Sequence, residues 1–206
     1  MVESATASRS EQAERSVSAI VKAAFDVIAA NSISGTSTSK IAIAAGVSKP
    51  LLHYHFKNKE EILERVIKDV LGKLLEIPLE NANKKLSAFE EIKGIFRRYK
   101  ETITSEPDLL VVFYDFWVRG AKTPEIRKAI IQRFDAFRGY IGQLVTEGVS
   151  KGEFSAEKSH MLPPLMISFL EGASIQLITD PDAFNYDLYQ YMALDMIAGI
   201  SGAKNE

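Results

Sequence analysis

Apolar residues recur at intervals of three and four along almost the whole of this chain, and this period limits its possible folds more than any other feature. The first such run predicts a helix from about Ser10 to Ala30. Its apolar members are Val17, Ile20, Ala24, Val27 and Ile28. No stretch alternates apolar and polar residues as a half-buried strand does. The sequence therefore predicts an all-α fold.

Small polar residues and a glycine divide the segment after the first helix. Thr36 or Ser37 can cap a short second helix that runs through Ala45, because a hydroxyl oxygen accepts a hydrogen bond from a free N–H of the first turn. Gly46 follows, and glycine readily takes the left-handed conformation that a tight turn after a helix requires. The pattern predicts one short helix ending in a sharp turn.

Two further helix starts follow that turn. Ser48 can cap a third helix, with Pro50 in the first turn, where its missing N–H is not needed. Asn58 with Glu61 resembles a capping box and opens a fourth helix, which we expect to end before Pro78.

Positive charge gathers in this same segment, although the whole chain has a net charge of −2. Between residues 32 and 59 there is no acidic residue, and the lysines are Lys40, Lys49, Lys57 and Lys59. A short helix, a glycine turn and a second short helix over about residues 37–56 indicate a helix-turn-helix, whose second helix enters the DNA major groove. A solvated lysine face is the alternative that charge alone leaves open.

The stretch SKIAIAAGVSKPLLHYHFKNKEEIL, residues 39–63, resembles the DNA-binding domain of the tetracycline-repressor (TetR) family of bacterial regulators. The specific part is IA…AGVS followed by LLHYHFKNKEEIL, an aromatic and histidine cluster that leads into a helix start. The rest of the chain resembles the family only in its layout, a helical C-terminal domain that contains KGEF and then FLEGASIQL. Family members often have glycine and an aromatic residue at the end of the first helix, where this chain has Ser32 and Ile33.

The resemblance implies which side chains meet DNA. At the start of the second helix, Ser37, Thr38 and Ser39 would contact phosphate or a groove edge, and His55 and Lys59 would bind phosphates. The predicted interface of the recognition helix comprises Ser48, Lys49, Pro50, Leu51, His53 and Tyr54. In physical terms, Lys49 can donate to guanine O6 or N7, and Leu51 can pack on a thymine methyl.

Other roles stay open for three of these residues. Tyr54 can instead brace the helix. His53 and His55 lie two residues apart and point in different directions on a helix, so they are poorly placed to share a metal ion. For each of the two histidines, DNA contact is one possible role, and packing against Phe56 or the fourth helix is the other.

The remainder of the chain predicts longer helices with many aromatic residues, in which Ser87 and Thr123 can act as caps. Such aromatics form either a plain core or a mostly apolar ligand cavity between helices. The resemblance implies a cavity. The candidate lining residues are Phe96, Tyr99, Ile103, Phe113, Tyr114, Trp117, Phe134, Phe137 and Phe169. Asp115, Arg119 and Glu171 are offered as further polar contacts.

The resemblance also implies how the chain is organised. Residues 1–76 would form a three-helix DNA-binding domain with a linking fourth helix, and residues 77–206 a larger helical ligand-binding and dimerisation domain. A homodimer would form through the last two helices, about 164–179 and 186–200, and would bind a pseudo-palindromic double-stranded DNA operator. Most of the family represses transcription, so we expect a repressor that a small apolar or amphipathic effector releases.

Enzyme chemistry finds no support in the sequence. There is no cysteine, and no nucleophile elbow, Walker loop, zinc-protease motif or dinucleotide fingerprint appears, so we expect no catalytic residues, no cofactor and no metal site. Without cysteine, signal peptide or membrane span, the chain is expected to be cytoplasmic. A helical protein-interaction module without specific DNA binding is the alternative function.

Overall fold

A computed structural model describes residues 2–79 and 86–202 of the chain. All regular secondary structure within these ranges is helical, which confirms the predicted all-α fold. In chain order the helices are α1 (Val2–Asn31), α2 (Thr38–Ala44), α3 (Lys49–His55), α4 (Lys59–Leu79), α5 (Ala88–Ser105), α6 (Pro107–Gly120), α7 (Pro124–Ser150), α8 (Leu162–Thr179) and α9 (Tyr186–Ser201). A single 3-10 turn precedes α8.

Several helices begin where the sequence places a capping side chain. Ser37, Ser48, Asn58 and Ser87 each accept a hydrogen bond from the backbone N–H three residues later. Each bond satisfies one of the N–H groups that the first turn of a helix leaves without a partner inside the helix. These starts were readable from the sequence because a cap involves residues only three positions apart.

Two helix ends differ from the prediction. Helix α1 begins at Val2 rather than at about Ser10, because the intervening residues include neither proline nor glycine to stop it. Helix α4 continues to Leu79, past Pro78. Proline removes one backbone hydrogen bond to the preceding turn, and since the helix ends one residue later, little of it depends on that bond.

Contacts divide the chain into two compact units. The first comprises the residues up to Val70 together with Val111–Arg127, and the second comprises Leu71–Leu110 and the chain from Lys128 onward. The sequence predicted a single boundary after residue 76. The first unit includes most of α6 together with α1, α2, α3 and the part of α4 up to Val70, and the predicted domain boundary stays a prediction.

The first unit has an apolar core to which each of its first four helices contributes. Helix α1 packs on α2, and α2 packs on α3. Side chains that are at most 1% exposed include Ile20, Ile28, Ile41, Leu52 and Ile62. Gly46 takes a φ of 65° between α2 and α3, the left-handed conformation predicted for it.

In the second unit, α5, α8 and α9 pack on one another. Two tyrosines of α9 fasten this group: the Tyr186 hydroxyl donates to the Phe96 carbonyl at 3.0 Å, and the Tyr189 hydroxyl donates to the Phe169 carbonyl at 2.7 Å. Burial raises the pKa of both phenols, so the hydroxyls stay protonated and keep donating.

Residues 151–154, KGEF, close α7 as the sequence predicted. Gly152 has a φ of 74°, and the Phe154 ring lies so close to Gly148 that a Cβ at that position would overlap it. Because Gly148 has no Cβ, the Phe154 ring can fold back onto the end of α7.

The segment Ser159–Thr179, which contains α8, has a mean hydropathy of 1.4 in its most apolar stretch. It is the one helix in the described ranges long and apolar enough to cross a membrane by length and composition. The core helix of a soluble protein passes the same test, so this is a weak indication. Its Glu171 carboxylate forms an ion pair with Arg133, which gives the helix a charged contact within its own unit.

Candidate DNA-binding and effector sites

Helix α3 is held from one side and open on the other. Leu52 is fully buried and Phe56, four residues on, is 5% exposed, so these two side chains anchor the helix in the first unit. The exposed side chains on the rest of its surface are Ser48, Lys49, Pro50, Leu51, His53 and Tyr54. Tyr54 is 81% exposed, and its ring lies edge-on to that of His55 with the centroids 5.1 Å apart, so its DNA contact stays a prediction beside a bracing role. His55 is half-buried.

The start of α2 carries the three hydroxyl residues that the resemblance singled out. Ser37 is exposed and caps the helix, while Thr38 and Ser39 are half-buried. Thr36, the other residue offered as a cap, is buried, and its hydroxyl donates to the Ser32 carbonyl at 2.7 Å. The DNA contacts of Ser37, Thr38 and Ser39 stay predictions.

Lys59 has a role that the sequence reasoning missed. Its Nζ donates to the Ile33 carbonyl at 2.8 Å and to the Thr36 carbonyl at 2.6 Å, so the ammonium fastens the turn between α1 and α2 to the start of α4. Burial lowers the pKa of Lys59, and the nearby charge of Arg119 lowers it further, while Glu60 raises it. Because an ammonium has three N–H donors, one is left for the phosphate contact that the resemblance implies, and that contact stays a prediction.

The same turn is bound from α6. Asp115, which the sequence reasoning offered as a ligand contact, accepts a hydrogen bond from Ile33 N at 2.5 Å with its Oδ2. Ile33 is 1% exposed, and Ser32 before it has a φ of 59°, in the region that favours glycine. Serine and isoleucine thus occupy the places where family members often have glycine and an aromatic residue.

A cavity lies within the second unit. Its apolar walls are Leu74, Ile95, Phe137, Ile167 and Leu170, and its polar groups are Tyr99, Arg133 and Glu171. The cavity volume is about 10 Å³, which is room for about one water molecule. An effector of drug-like size therefore needs a state in which these helices stand further apart.

The polar groups of the cavity are bonded to one another and to α8. Arg133 Nη1 lies 2.9 Å from Glu171 Oε1, and Tyr99 Oη lies 2.7 Å from Ser174 Oγ. Since Ser174 donates its single proton to the Leu170 carbonyl, the Tyr99 hydroxyl is the donor to Ser174. Burial raises the pKa of Tyr99, and the charge of Glu171 raises it further, so the phenol stays protonated.

The structure separates the nine residues predicted to contact the ligand. Tyr99 and Phe137 line the cavity, and Phe96, Ile103, Phe134 and Phe169 belong to the same unit. Phe113, Tyr114 and Trp117 belong to the first unit, where they pack on one another with ring centroids 5.2–6.2 Å apart. Ligand contact by any of them stays a prediction.

Arg133 is the charged cavity residue that the sequence reasoning missed, and the apolar wall residues Leu74, Ile95, Ile167 and Leu170 were missed as well. The sequence does indicate that Arg133 faces inward. Ile130 lies three residues before it and Phe137 four residues after it, and both belong to the apolar stripe of α7. An arginine in that stripe faces inward with its apolar neighbours, and its side chain is only 9% exposed.

Comparison with known proteins shows the family to which the chain belongs. The sequence profile described as "Bacterial regulatory proteins, tetR family" matches residues 20–66, and the one described as "BetI-type transcriptional repressor, C-terminal" matches residues 90–202. A curated relative, the fatty acid metabolism regulator protein of Bacillus subtilis (strain 168), is 29% identical over 134 residues, which are 65% of this chain and 68% of that protein.

Solved structures share the fold. The transcriptional regulator FadR from Bacillus subtilis, in complex with stearoyl-CoA, has a TM-score of 0.73 at 22% identity and covers 90% of this chain and 98% of its own. A transcriptional regulator from Saccharomonospora viridis, in complex with choline, has a TM-score of 0.78 at 21% identity, with coverages of 91% and 96%.

A helix-turn-helix with an exposed second helix, followed by a helical unit with its own cavity, is typical of a ligand-responsive transcriptional regulator. The chain belongs to the TetR family of bacterial regulatory proteins, and its C-terminal part is of the BetI type. It is a DNA-binding, ligand-responsive repressor, and the comparisons give no support to a protein-interaction module without DNA binding. Its relatives are transcriptional regulators, and regulators of this family act as dimers.

Proposed function

We propose that this repressor binds a pseudo-palindromic operator as a homodimer, through α3 of each subunit, and that a small, largely apolar effector releases it. The observation that carries the proposal is the two-sided character of α3. Its inner side rests on fully buried Leu52, while Lys49 and Tyr54 stand exposed on the other. A helix fixed in this way can present the same side chains to a groove in every binding event.

The exposed side chains of α3 supply different kinds of contact. Lys49 at its first turn donates to guanine O6 or N7, and Leu51, which is 38% exposed, packs on a thymine methyl. Tyr54 reaches the sugar-phosphate backbone or a base edge. Ser37 at the start of α2, with Thr38 and Ser39, bonds to phosphate and sets the register of the complex.

The surface of α8 and α9 supports dimerisation through these two helices. Large apolar side chains remain exposed there, namely Ile175, Ile178, Leu188, Tyr191, Met192 and Met196, with exposures of 38–63%. A subunit in solution would leave this apolar surface in water, and burying it against a second copy removes that unfavourable exposure. A twofold dimer then places two copies of α3 on one face of the DNA.

The effector acts by a population shift. A ligand that enters the cavity of the second unit favours an expanded state, because the cavity of the described state has room for about one water molecule. Near-complete release from the operator requires that the ligand bind one state more tightly than the other by about 5.5 kcal/mol. One structural neighbour is in complex with stearoyl-CoA, an anionic amphiphile, and another with choline, a small cation, which supports ligand binding by this fold.

A salt titration tests the DNA-binding part of this proposal. The purified full-length protein is titrated onto random duplex DNA by fluorescence anisotropy at a series of salt concentrations. We expect weak binding whose affinity falls steeply with salt, because released counterions drive it. If the protein does not bind DNA even at low salt, the proposed DNA-binding function is wrong and a protein-interaction module is favoured. Because its predicted partner is DNA, we propose that the protein works in the cytoplasm, as regulators of this family do.

A further inference from the structure

We infer that the effector has an anionic head group on an apolar chain, and that Arg133 binds this head group in place of Glu171. This inference rests on the proposed effector site in the second unit and assigns its ligand class. The observations behind it are the ion pair in the cavity wall, the burial of both partners, and the different chemistry of the two charged groups.

The ion pair is enclosed together with apolar walls. Arg133 Nη1 and Glu171 Oε1 are 2.9 Å apart, and the two side chains are 9% and 12% exposed. An expanding cavity therefore opens beside two charges that are shielded from water. A ligand that separates them must replace the partner it removes, since a buried charge without a counter-charge is strongly unfavourable.

The two partners differ in what happens when they are separated. A carboxylate can become neutral by taking up a proton from water, whereas a guanidinium stays protonated under all ordinary conditions. A cationic ligand bound to Glu171 would draw the carboxylate away from Arg133, whose positive charge is permanent. An anionic ligand bound to Arg133 would keep this permanent charge paired with a negative group. The second exchange is therefore the more favourable one.

The surroundings of Arg133 fit it for this role. Its guanidinium carbon lies 5.3 Å from the centre of the Phe134 ring, a cation–π contact that positions the planar group independently of Glu171. Tyr99 stays protonated because burial raises its pKa, so this phenol adds no negative charge to repel an anion. A guanidinium offers two parallel N–H groups that match a carboxylate or a phosphate.

Four ligands with the same ten-carbon chain test the inference on the unaltered protein. Decanoate, decyl phosphate, decanol and decyltrimethylammonium are titrated into the full-length protein and followed by calorimetry, below the concentrations at which they form micelles. We expect at least one of the two anions to bind about tenfold or more tightly than both decanol and the cation, because of its charge-assisted bonds. The two anions differ in head group and show whether carboxylate or phosphate is preferred.

Three variants of the same protein test whether the preference for an anion depends on Arg133 and Glu171. Glu171→Gln removes the competing carboxylate and should strengthen binding of the preferred anion, while Arg133→Gln should bring its affinity down to that of decanol. Lys128→Gln is the matched control, because Lys128 lies on the same helix at an exposed position. It should leave all four affinities unchanged. Circular dichroism of each variant checks that it is folded.

Several results would overturn the inference. Equal affinities for the four ligands, tightest binding of decyltrimethylammonium, or no binding of any ligand by the folded protein would each exclude an anion-binding Arg133. Operator or random-DNA binding is measured in the same samples, so that failure of the two proposals can be told apart. If decanol releases the DNA as well as the anions do, ligand-responsive repression stands and the assigned ligand class is wrong.

Discussion

Asp115 and Ile33 are 82 positions apart in the sequence, yet Asp115 Oδ2 accepts a hydrogen bond from Ile33 N at 2.5 Å. Lys59 Nζ binds the carbonyl of the same isoleucine. The Asp115 carboxylate of α6 thus binds the N–H of Ile33, and the Lys59 ammonium of α4 binds its C=O. This turn leads directly into α2, so its position fixes where the helix-turn-helix begins.

Replacement of Asp115 tests this arrangement. Asp115→Ala should lower the free energy of unfolding by about 1.5–3 kcal/mol, the usual contribution of a hydrogen bond to a charged group. It should also weaken operator binding, because α2 loses part of its anchor. Thermal unfolding and fluorescence anisotropy measure the two effects. Asp108→Asn, an exposed position on the same helix, is the control, and an equal loss there would show that the Ile33 bond is not the cause.

Lys59→Ala should weaken binding to operator and random DNA alike. The variant loses two hydrogen bonds to the turn, so its melting temperature should also fall. If the third N–H meets a phosphate, the slope of log affinity against log salt should decrease by about 0.9. Lys57→Ala, at an exposed neighbouring position, serves as the matched control. An unchanged slope would leave Lys59 with its structural role alone.

Lys49→Ala should lose affinity for one particular base pair. We expect the discrimination at that position to fall by about 1–3 kcal/mol, the range for a lysine that donates to guanine. Binding to a library of operator variants measures the preference at every position. Lys40→Ala is the comparison, since the Lys40 ammonium donates to the Gly35 carbonyl within the protein. A preference profile identical to that of the unaltered protein would exclude Lys49 from base readout.

Ser32→Gly should stabilise the protein. Ser32 holds a φ of 59°, which glycine adopts without the steric penalty that a Cβ brings. After allowance for the greater freedom of glycine in the unfolded chain, we expect a gain of up to about 1 kcal/mol in the free energy of unfolding. Chemical denaturation measures it. Ser34→Gly, at an exposed position without a positive φ, should destabilise or have no effect, and an equal gain there would contradict the explanation.

Met196→Glu should shift the protein from dimer to monomer. Met196 is 53% exposed on α9, in the apolar surface proposed as the dimer interface, and a carboxylate buried there without a partner is unfavourable. Sedimentation velocity over a range of protein concentrations measures the dissociation. Met161→Glu makes the same change at a residue that is 47% exposed and lies before α8. Dissociation of that variant to the same degree would argue against the α8–α9 interface.

The sequence by itself determined the all-α architecture, the starts of α2, α3, α4 and α5, and the glycine turn before α3. Each of these depends on residues within about four positions of one another, where helical spacing and capping operate. The resemblance of residues 39–63 to one family was readable for the same reason, since the helix-turn-helix is one continuous segment.

Only the tertiary structure decided which distant groups meet. Lys59 reaches Ile33 across 26 positions, Arg133 reaches Glu171 across 38, and Asp115 reaches Ile33 across 82. The sequence had assigned Lys59 to phosphate, had offered Asp115 to the ligand, and had left Arg133 out. A charged side chain has the same local pattern whether it meets solvent, DNA or a buried partner, and only packing brings its acceptor within hydrogen-bonding distance.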